Sequence, residues 1–289
     1  MQCSHAKTFI PRGQYMSLTK PCGQCIQCRI NKTNEWATRC RYEMESHDKS
    51  CFITLTYDEE HYPENGSLNK KDFQDFIKRV RKHYFGNEAS ELKYYLCGEY
   101  GPNTFRCHGH AAIFGVDFEP DEWIVFKEDA SGPHYTSPTL LKLWPFGFNE
   151  VSLLNESRLN YVCGYIQKKL TGNAAAFYRE RGWIAPFQLY SKNLGVKALV
   201  EDSGRLTQLF LNHKGKPLQT YYAHKLGLNE ITTEDGYQLS YLYHKDAEEK
   251  RRAAYPDLSD LEYSKLILSK RLQTELDLEE KYKSSRSGI

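Results

Sequence analysis

The 289-residue chain contains no apolar run that approaches the roughly 18 residues of a membrane-spanning helix, and its mean hydropathy is −0.68. An integral membrane protein is therefore not expected. Met1 to Thr8 lack the basic-then-apolar order of a secretory signal, so the expected compartment is reducing cytosol. There the nine cysteines, an odd number, read as thiols or metal ligands rather than a disulfide framework. No G-x-x-x-x-G-K-[ST] loop is present, which removes P-loop nucleotide chemistry. No internal repeat or low-complexity tract occurs, which removes solenoids and wholesale disorder. There is also little excess charge: 39 basic against 37 acidic residues give +2.

What is present is a 40% hydrophobic chain with 21 tyrosines and an uneven distribution of charge. Residues 1–50 carry net +4, residues 51–150 net −6, residues 151–225 net +7 and residues 226–289 net −3. An acidic middle beside a basic stretch suits a site that gathers a cation and holds a polyanion. Ordinary solvated faces account for the same pattern equally simply.

Periodicity predicts a helix over 31–46 and a strand at Cys51–Tyr57. A second helix starts at Asn69, with Asp72 as a weak capping-box partner and an apolar stripe of Phe73, Phe76, Ile77, Val80 and Tyr84. Leu92–Glu99 and Cys107–Phe114 read as strands of an antiparallel hairpin around Gly101-Pro102-Asn103. Short helical pieces and a loop are expected over 119–145. A strand follows at Gly147–Leu153, then a helix from its cap at Asn155 to about Leu170. Residues 1–30 read as irregular, 171–229 as mixed loops, and 245–283 as charged amphipathic helix.

Three clusters carry chemistry. In His108-Gly109-His110 the two imidazoles, at i and i+2 of a strand, project from one face about 7 Å apart. Glu99, at the end of the preceding strand, can join them through antiparallel pairing. Two histidines and a carboxylate with open positions suit Mg²⁺, Mn²⁺ or a similar ion on a phosphate; the plain alternative is exposed histidines and a solvated strand end. His47 and His61 are lesser ligand candidates. Tyr161 and Tyr165 share a helical face, with Lys168 and Lys169 directly after them. Such an aromatic pair is usually core packing, yet the lysines favour a charged ligand. A phenol of free pKa near 10 is a poor nucleophile unless the phosphate it attacks is neutralised. Two phenols on one face allow two successive transesterifications without water or ATP. Cys22-x-x-Cys25-x-x-Cys28 has zinc-ligand spacing, with Cys3 or His5 as a fourth ligand; buried free thiols are the alternative. Cys40, Cys51, Cys97, Cys107 and Cys163 read as core thiols. Arg106, Arg158, Lys192 and Lys197 are candidate phosphate contacts, and Phe187, Tyr190, Tyr221 and Tyr222 candidate stacking platforms; solvated cations and core or rim aromatics are the plain alternatives.

The order of these motifs resembles the replication initiators of microviruses, small single-stranded DNA bacteriophages, of the gokushovirus type within the HUH endonucleases. Phe52-Ile-Thr-Leu-Thr-Tyr57 resembles the family's first motif. Gly98-Glu99-Tyr100-Gly101 with His108-Gly109-His110-Ala-Ala-Ile-Phe-Gly115 resembles its metal motif, and Tyr161 to Lys169 its two-tyrosine motif. Pro21-Cys22-Gly23-Gln24-Cys25-Ile26-Gln27-Cys28-Arg29 resembles the subfamily's amino-terminal signature. Two residues depart from the pattern: Gly109, where relatives carry a larger residue, and Gly164, which lowers helix propensity beside Tyr165.

The resemblance implies an α+β fold: an antiparallel, RRM-like sheet of about five strands flanked by helices, with a Cys-rich amino-terminal extension and a helical carboxy-terminal region. The expected organisation is residues 1–50 as the Cys-rich segment and helix, 51–229 as the endonuclease core, and 230–289 as a charged helical region. The implied activity is rolling-circle initiation in the cytoplasm of a bacterial host. A single-stranded DNA origin is cut with Mg²⁺ or Mn²⁺, leaving a 5′-phosphotyrosine and a free 3′-OH for host polymerase. A structural Zn²⁺, and contact of the carboxy-terminal helices with a host helicase, complete the expectations. The rivals are a plasmid or transposon nickase, a non-catalytic RRM-like nucleic-acid binder, and a zinc hydrolase using His108 and His110.

Overall fold

The computed structural model describes residues 3–10, 18–88, 91–129, 132–164, 173–198 and 249–284. The chain divides into two compact units, Trp36–Ala198 and the paired terminal segments Met1–Glu35 with Leu199–Ile289.

The terminal unit contains the short antiparallel pair β1 (Lys7–Phe9) and β2 (Leu18–Lys20), the start of helix α1 (Ile26–Glu45), and helix α6 (Asp260–Ser284). Helix α1 begins five residues earlier than its periodicity suggests. Its first turn grows straight out of the cysteine loop, with the Arg29 amide donating to the Cys25 carbonyl at 3.0 Å.

The other unit is built on a seven-stranded antiparallel sheet. Its strands are β3 (Ser50–Thr56), β4 (Lys93–Tyr100), β5 (Cys107–Phe114), β6 (Ile124–Asp129), β7 (Gly132–Thr136), β8 (Asn149–Leu153) and β9 (Phe187–Tyr190). The spatial order is β6-β7-β8-β3-β5-β4-β9. The α+β expectation holds, but with seven strands rather than about five. The added hairpin β6–β7 lies where short helical pieces and a loop are expected from sequence. All six residues of β6 are exposed, including Ile124, Val125 and Phe126. With no buried face, the strand has no period-2 pattern to announce it.

Both faces of the central strands are covered, which explains the near-continuous apolar run of β3. On one face, helix α2 (Lys70–Phe85) buries Phe73, Phe76, Ile77 and Val80 with Cys51, Ile53, Leu55, Leu96, Ala111 and Ile113 of the sheet. Asn69 caps α2 by accepting from the Lys71 amide at 3.0 Å. Asp72 does not complete a capping box; its carboxylate accepts from the Tyr57 hydroxyl at 2.9 Å. Helix α3 (Pro138–Leu143), capped by Ser137, adds Leu140 and Leu143 on this side.

On the other face, Trp36, Ala37 and Cys40 of α1 and Leu159, Val162 and Cys163 of helix α4 (Glu156–Gly164) pack with Phe52, Tyr95, Cys97, Ala112 and Phe114. Asn155 caps α4 through the Arg158 amide at 2.9 Å. Helix α5 (Asn173–Glu180) precedes β9. All nine cysteines are free thiols. Among the described residues no helix is long and apolar enough to cross a membrane.

Candidate active site

The second face changes character along its strands. Stepping by two down β4, Tyr95 and Cys97 give way to Glu99. On β5, Phe114 and Ala112 give way to His110 and His108, and on β3 Phe52 gives way to Thr54 and Thr56. The register brings these polar ends together. His110 lies between Thr54 and Cys97, and His108 between Thr56 and Glu99. The apolar half belongs to the core under α1 and α4, and the polar half forms the site.

Glu99, His108 and His110 each offer one ligand atom, all within 4.8 Å of one another. Glu99 Oε1 lies 3.0 Å from His108 Nε2 and 3.4 Å from His110 Nε2. The side chains of Glu99 and His110 are 5% and 8% exposed and that of His108 is 17%, so the group opens to solvent past His108. His108 Nδ1 faces the Arg106 carbonyl at 3.1 Å. A carbonyl only accepts, so Nδ1 carries the hydrogen and the neutral ring turns its Nε2 lone pair toward Glu99. Thr54 Oγ1 engages His110 Nδ1 at 3.0 Å, and Phe52 stacks on the His110 ring at 5.7 Å. Lone pairs and a carboxylate converging in a nearly dry corner repel one another unless a cation stands among them. The donor set therefore fits a divalent ion bound through two nitrogens and an oxygen, each histidine oriented by its other nitrogen.

Tyr161 sits on α4 between the buried Leu159 and Val162 and is 52% exposed. Its ring meets His110 edge-on at 5.3 Å and Phe52 at 6.1 Å. The first tyrosine of the pair is thus half-open and against a candidate ligand. Tyr165, Lys168 and Lys169 lie outside the described residues, as do Tyr221 and Tyr222.

Gly109 faces away from the site. A Cβ there would come within 2.3 Å of Phe73 Cε1, and one at its cross-strand partner Gly98 within 2.8 Å of Phe187 Cζ. Phe73 and Phe187 meet edge-to-face at 5.9 Å over this pair of glycines. The aromatic floor takes the space that a larger residue between the histidines would need.

The lesser ligand candidates are elsewhere. His47 Nε2 pairs with buried Glu43 at 2.8 Å, and His61 with Asp58 at 2.8 Å. Backbone and side-chain hydrogen bonds from His61 hold the Asp58 carboxyl below its ordinary range. Arg106 donates to Glu59 at 2.7 Å and to the Tyr57 carbonyl at 2.8 Å. Arg158 is half-buried on α4, and Lys192 and Lys197 are exposed after β9. Tyr190 packs on Trp36 at 4.3 Å.

In the terminal unit Cys3, Cys22, Cys25 and Cys28 form a second group of ligand atoms, all within 4.8 Å of one another. Cys3 supplies the fourth position; His5 turns instead to Glu275, at 3.0 Å. Burial pushes the Cys22 thiol up, but the Cys25 and Gln24 amides and neighbouring thiols outweigh it and bring it down to about 6. Cys40, Cys51, Cys97, Cys107 and Cys163 are buried as expected. Sequence reasoning missed Thr54 and the Arg106 carbonyl, because only strand register places them behind the histidines.

Residues 50–170 match the replication-associated protein ORF2 family. The match runs from β3 through the histidines to the segment carrying the tyrosines. The chain is 29% identical over 191 residues to replication-associated protein ORF2 of Spiroplasma virus 4, covering 64% of this chain and 58% of that protein. It is 36% identical over 159 residues to replication-associated protein VP4 of Bdellovibrio phage phiMH2K, covering 53% and 50% respectively. With replication-associated protein ORF4 of Chlamydia phage 1 it shares 29% identity over 178 residues, 58% of this chain and 44% of that one. The chain therefore spans about half the length of the curated relatives it matches. These matches bear out the resemblance to the microvirus initiators. No solved structure matches the chain.

Proposed function

Taking the likeness to phage replication-associated proteins as premise, we propose that this chain initiates rolling-circle replication by nicking and rejoining single-stranded DNA at a phage origin. The observation that carries the proposal is the half-exposed Tyr161 held edge-on to His110, itself grouped with His108 and Glu99. Mg²⁺ or Mn²⁺, held by Glu99, His108 and His110, would supply charge neutralisation at the scissile phosphate.

The chain's own residues do the rest. Thr54 and the Arg106 carbonyl hold the imidazoles in place. Tyr161 Oη attacks phosphorus, the Oη–P bond forms, the P–O3′ bond breaks, and the phenol proton reaches the departing O3′ through solvent. The products are a 5′-phosphotyrosine and a free 3′-OH. Because the ester keeps the bond energy, attack by a 3′-OH rejoins the strand without ATP. Tyr165 is assigned the second transfer, and Lys168 and Lys169 the stabilisation of phenolate. Arg158, Lys192 and Lys197 would contact phosphates. Arg106 would join them, since an exposed pair such as that with Glu59 contributes only about 0–1 kcal/mol and exchanges readily for a phosphate. The 3′-OH would serve host polymerase in the bacterial cytoplasm, and the carboxy-terminal helix is assigned to a host helicase.

The test is incubation with labelled single-stranded origin DNA and Mn²⁺ or Mg²⁺. The expected result is a protein–DNA band that survives SDS, is lost in the Tyr161→Phe/Tyr165→Phe double variant, and is lost in His110→Ala with the circular dichroism unchanged. Tight binding with no adduct points to a non-catalytic binder. Cleavage that persists in the double variant points to a hydrolase. Either outcome refutes the proposal.

A further inference from the structure

The thiol group of the terminal unit has no part in strand transfer, and its geometry is that of a metal knuckle. Cys3 precedes β1, Cys22 and Cys25 lie in the loop before α1, and Cys28 lies on the first turn of α1. Cys3 Sγ is 3.8 Å from Cys25 Sγ, and Cys22 Sγ is 3.9 Å from Cys28 Sγ. A tetrahedron with Zn–S bonds of about 2.3 Å has an edge of about 3.8 Å. Backbone amides point at the sulfurs: Cys22 N at Cys3 Sγ (3.3 Å), and Gln24 N and Cys25 N at Cys22 Sγ (3.4 and 3.3 Å). The left-handed turn at Gly23, φ +75°, folds the loop back so that these amides face the sulfur. Such donors stabilise thiolates, and four tetrahedral thiolates select zinc or iron–sulfur chemistry. Lysine at position 32 breaks the ferredoxin spacing, which leaves zinc.

The residues next to two of these cysteines hold α6. Beside Cys3, His5 Nε2 lies 3.0 Å from the Glu275 carboxylate and Ser4 Oγ donates to the same group. Beside Cys28, Gln27 Nε2 donates to the Arg271 carbonyl at 2.9 Å. Arg271 and Glu275 are one turn apart on the same face of α6. Helix α6 has little apolar adhesion of its own. Tyr263 and Glu275 are its buried residues among the described side chains, while Leu261, Leu268, Leu272 and Leu276 are exposed.

We propose that Cys3, Cys22, Cys25 and Cys28 bind a structural Zn²⁺ that fastens the amino-terminal segment and the start of α1 to α6. Zinc displaces the thiol protons to solvent, and the binding free energy becomes folding free energy for a unit that buries little apolar surface.

The experiment uses the full chain purified without chelators. Elemental analysis should find about one zinc per chain, released by a mercurial and captured by a chromogenic chelator. Cobalt in its place should show intense thiolate charge-transfer and tetrahedral d–d bands. Both signatures should be lost in Cys25→Ser/Cys28→Ser and kept in His110→Ala, which separates this site from the histidine site. On release of zinc from the wild-type chain, amide-exchange protection of α6 should be lost while that of β3, β4 and β5 persists. Absence of zinc and of the cobalt bands, or iron in its place, overturns the metal assignment. Zinc release that leaves α6 protection unchanged overturns the fastening role.

Discussion

Gly109→Ala is the sharpest test of the packing behind the histidines. The new methyl group would meet Phe73 Cε1 at 2.3 Å, Cζ at 2.9 Å and Cδ1 at 3.0 Å. Comfortable carbon contacts are about 3.5–4.0 Å, so the ring or the strand must yield by more than about 1 Å. The ring has little room, because Phe73 is fully buried and stacks on Trp144 at 5.3 Å. Overpacking of this kind costs about 1–3 kcal/mol. At about 2–4 °C per kcal/mol for a domain of this size, the melting temperature should fall by about 2–12 °C. If β5 is the part that yields, His108 and His110 move with it and Mn²⁺ binding weakens as well. The assay is thermal unfolding of the full chain followed by circular dichroism, with Mn²⁺ titration of the folded protein. Phe73→Leu shortens the obstructing ring, so the double variant should be more stable than the sum of the single effects by about 0.5–3 kcal/mol. A Gly109→Ala protein within about 0.5 kcal/mol of wild type, or strict additivity with Phe73→Leu, refutes the packing account.

Three further outcomes are expected. Thr54→Val removes the hydroxyl that holds His110 Nδ1; Mn²⁺ affinity should fall about 10–100-fold in calorimetric titration with little change in melting, and unchanged affinity would remove Thr54 from the site. Glu43→Ala strips a buried carboxylate from His47 and from the Gly195 amide, which donates to it at 2.6 Å; urea unfolding should show a loss of about 3–5 kcal/mol, and a loss under about 1 kcal/mol would make the pair incidental. His134, bonded to Asp129 and then Glu150, titrates above its ordinary value. A raised folded-state pKa means its support of the β6–β7 hairpin is full below the ordinary value near 6.5 and is lost as pH rises through the higher one. An NMR titration of His134 with its midpoint at or below the free value would contradict this.

The polar end of one sheet face also accounts for why a nicking site would sit here. The apolar ends of β3, β4 and β5 are locked between α1 and α4, which fixes the positions of Glu99, His108 and His110 without a loop. Tyr161 shares that core through its helix neighbours Leu159 and Val162, so the phenol ring and the imidazole are held by the same packed layer. A site carried on rigid elements keeps its geometry without support from bound DNA.

The amino-acid sequence by itself determined the elements with strong local signals. Strand β5 falls on its expected bounds, Asn69 and Asn155 cap the helices they begin, and the i, i+2 spacing of His108 and His110 sets both rings on one face. It also determined the cysteine spacing, since ligands three residues apart meet in a tight loop whatever surrounds them. Only the tertiary structure decided the rest, because it depends on partners far along the chain. Strand register put Thr54 behind His110 and Glu99 beside His108. The approach of α2 made Gly109 the residue that fits under Phe73. An exposed edge hairpin, β6–β7, left no apolar alternation to read. Local periodicity reports which way a side chain points, whereas what it meets there is set by contacts between residues dozens of positions apart.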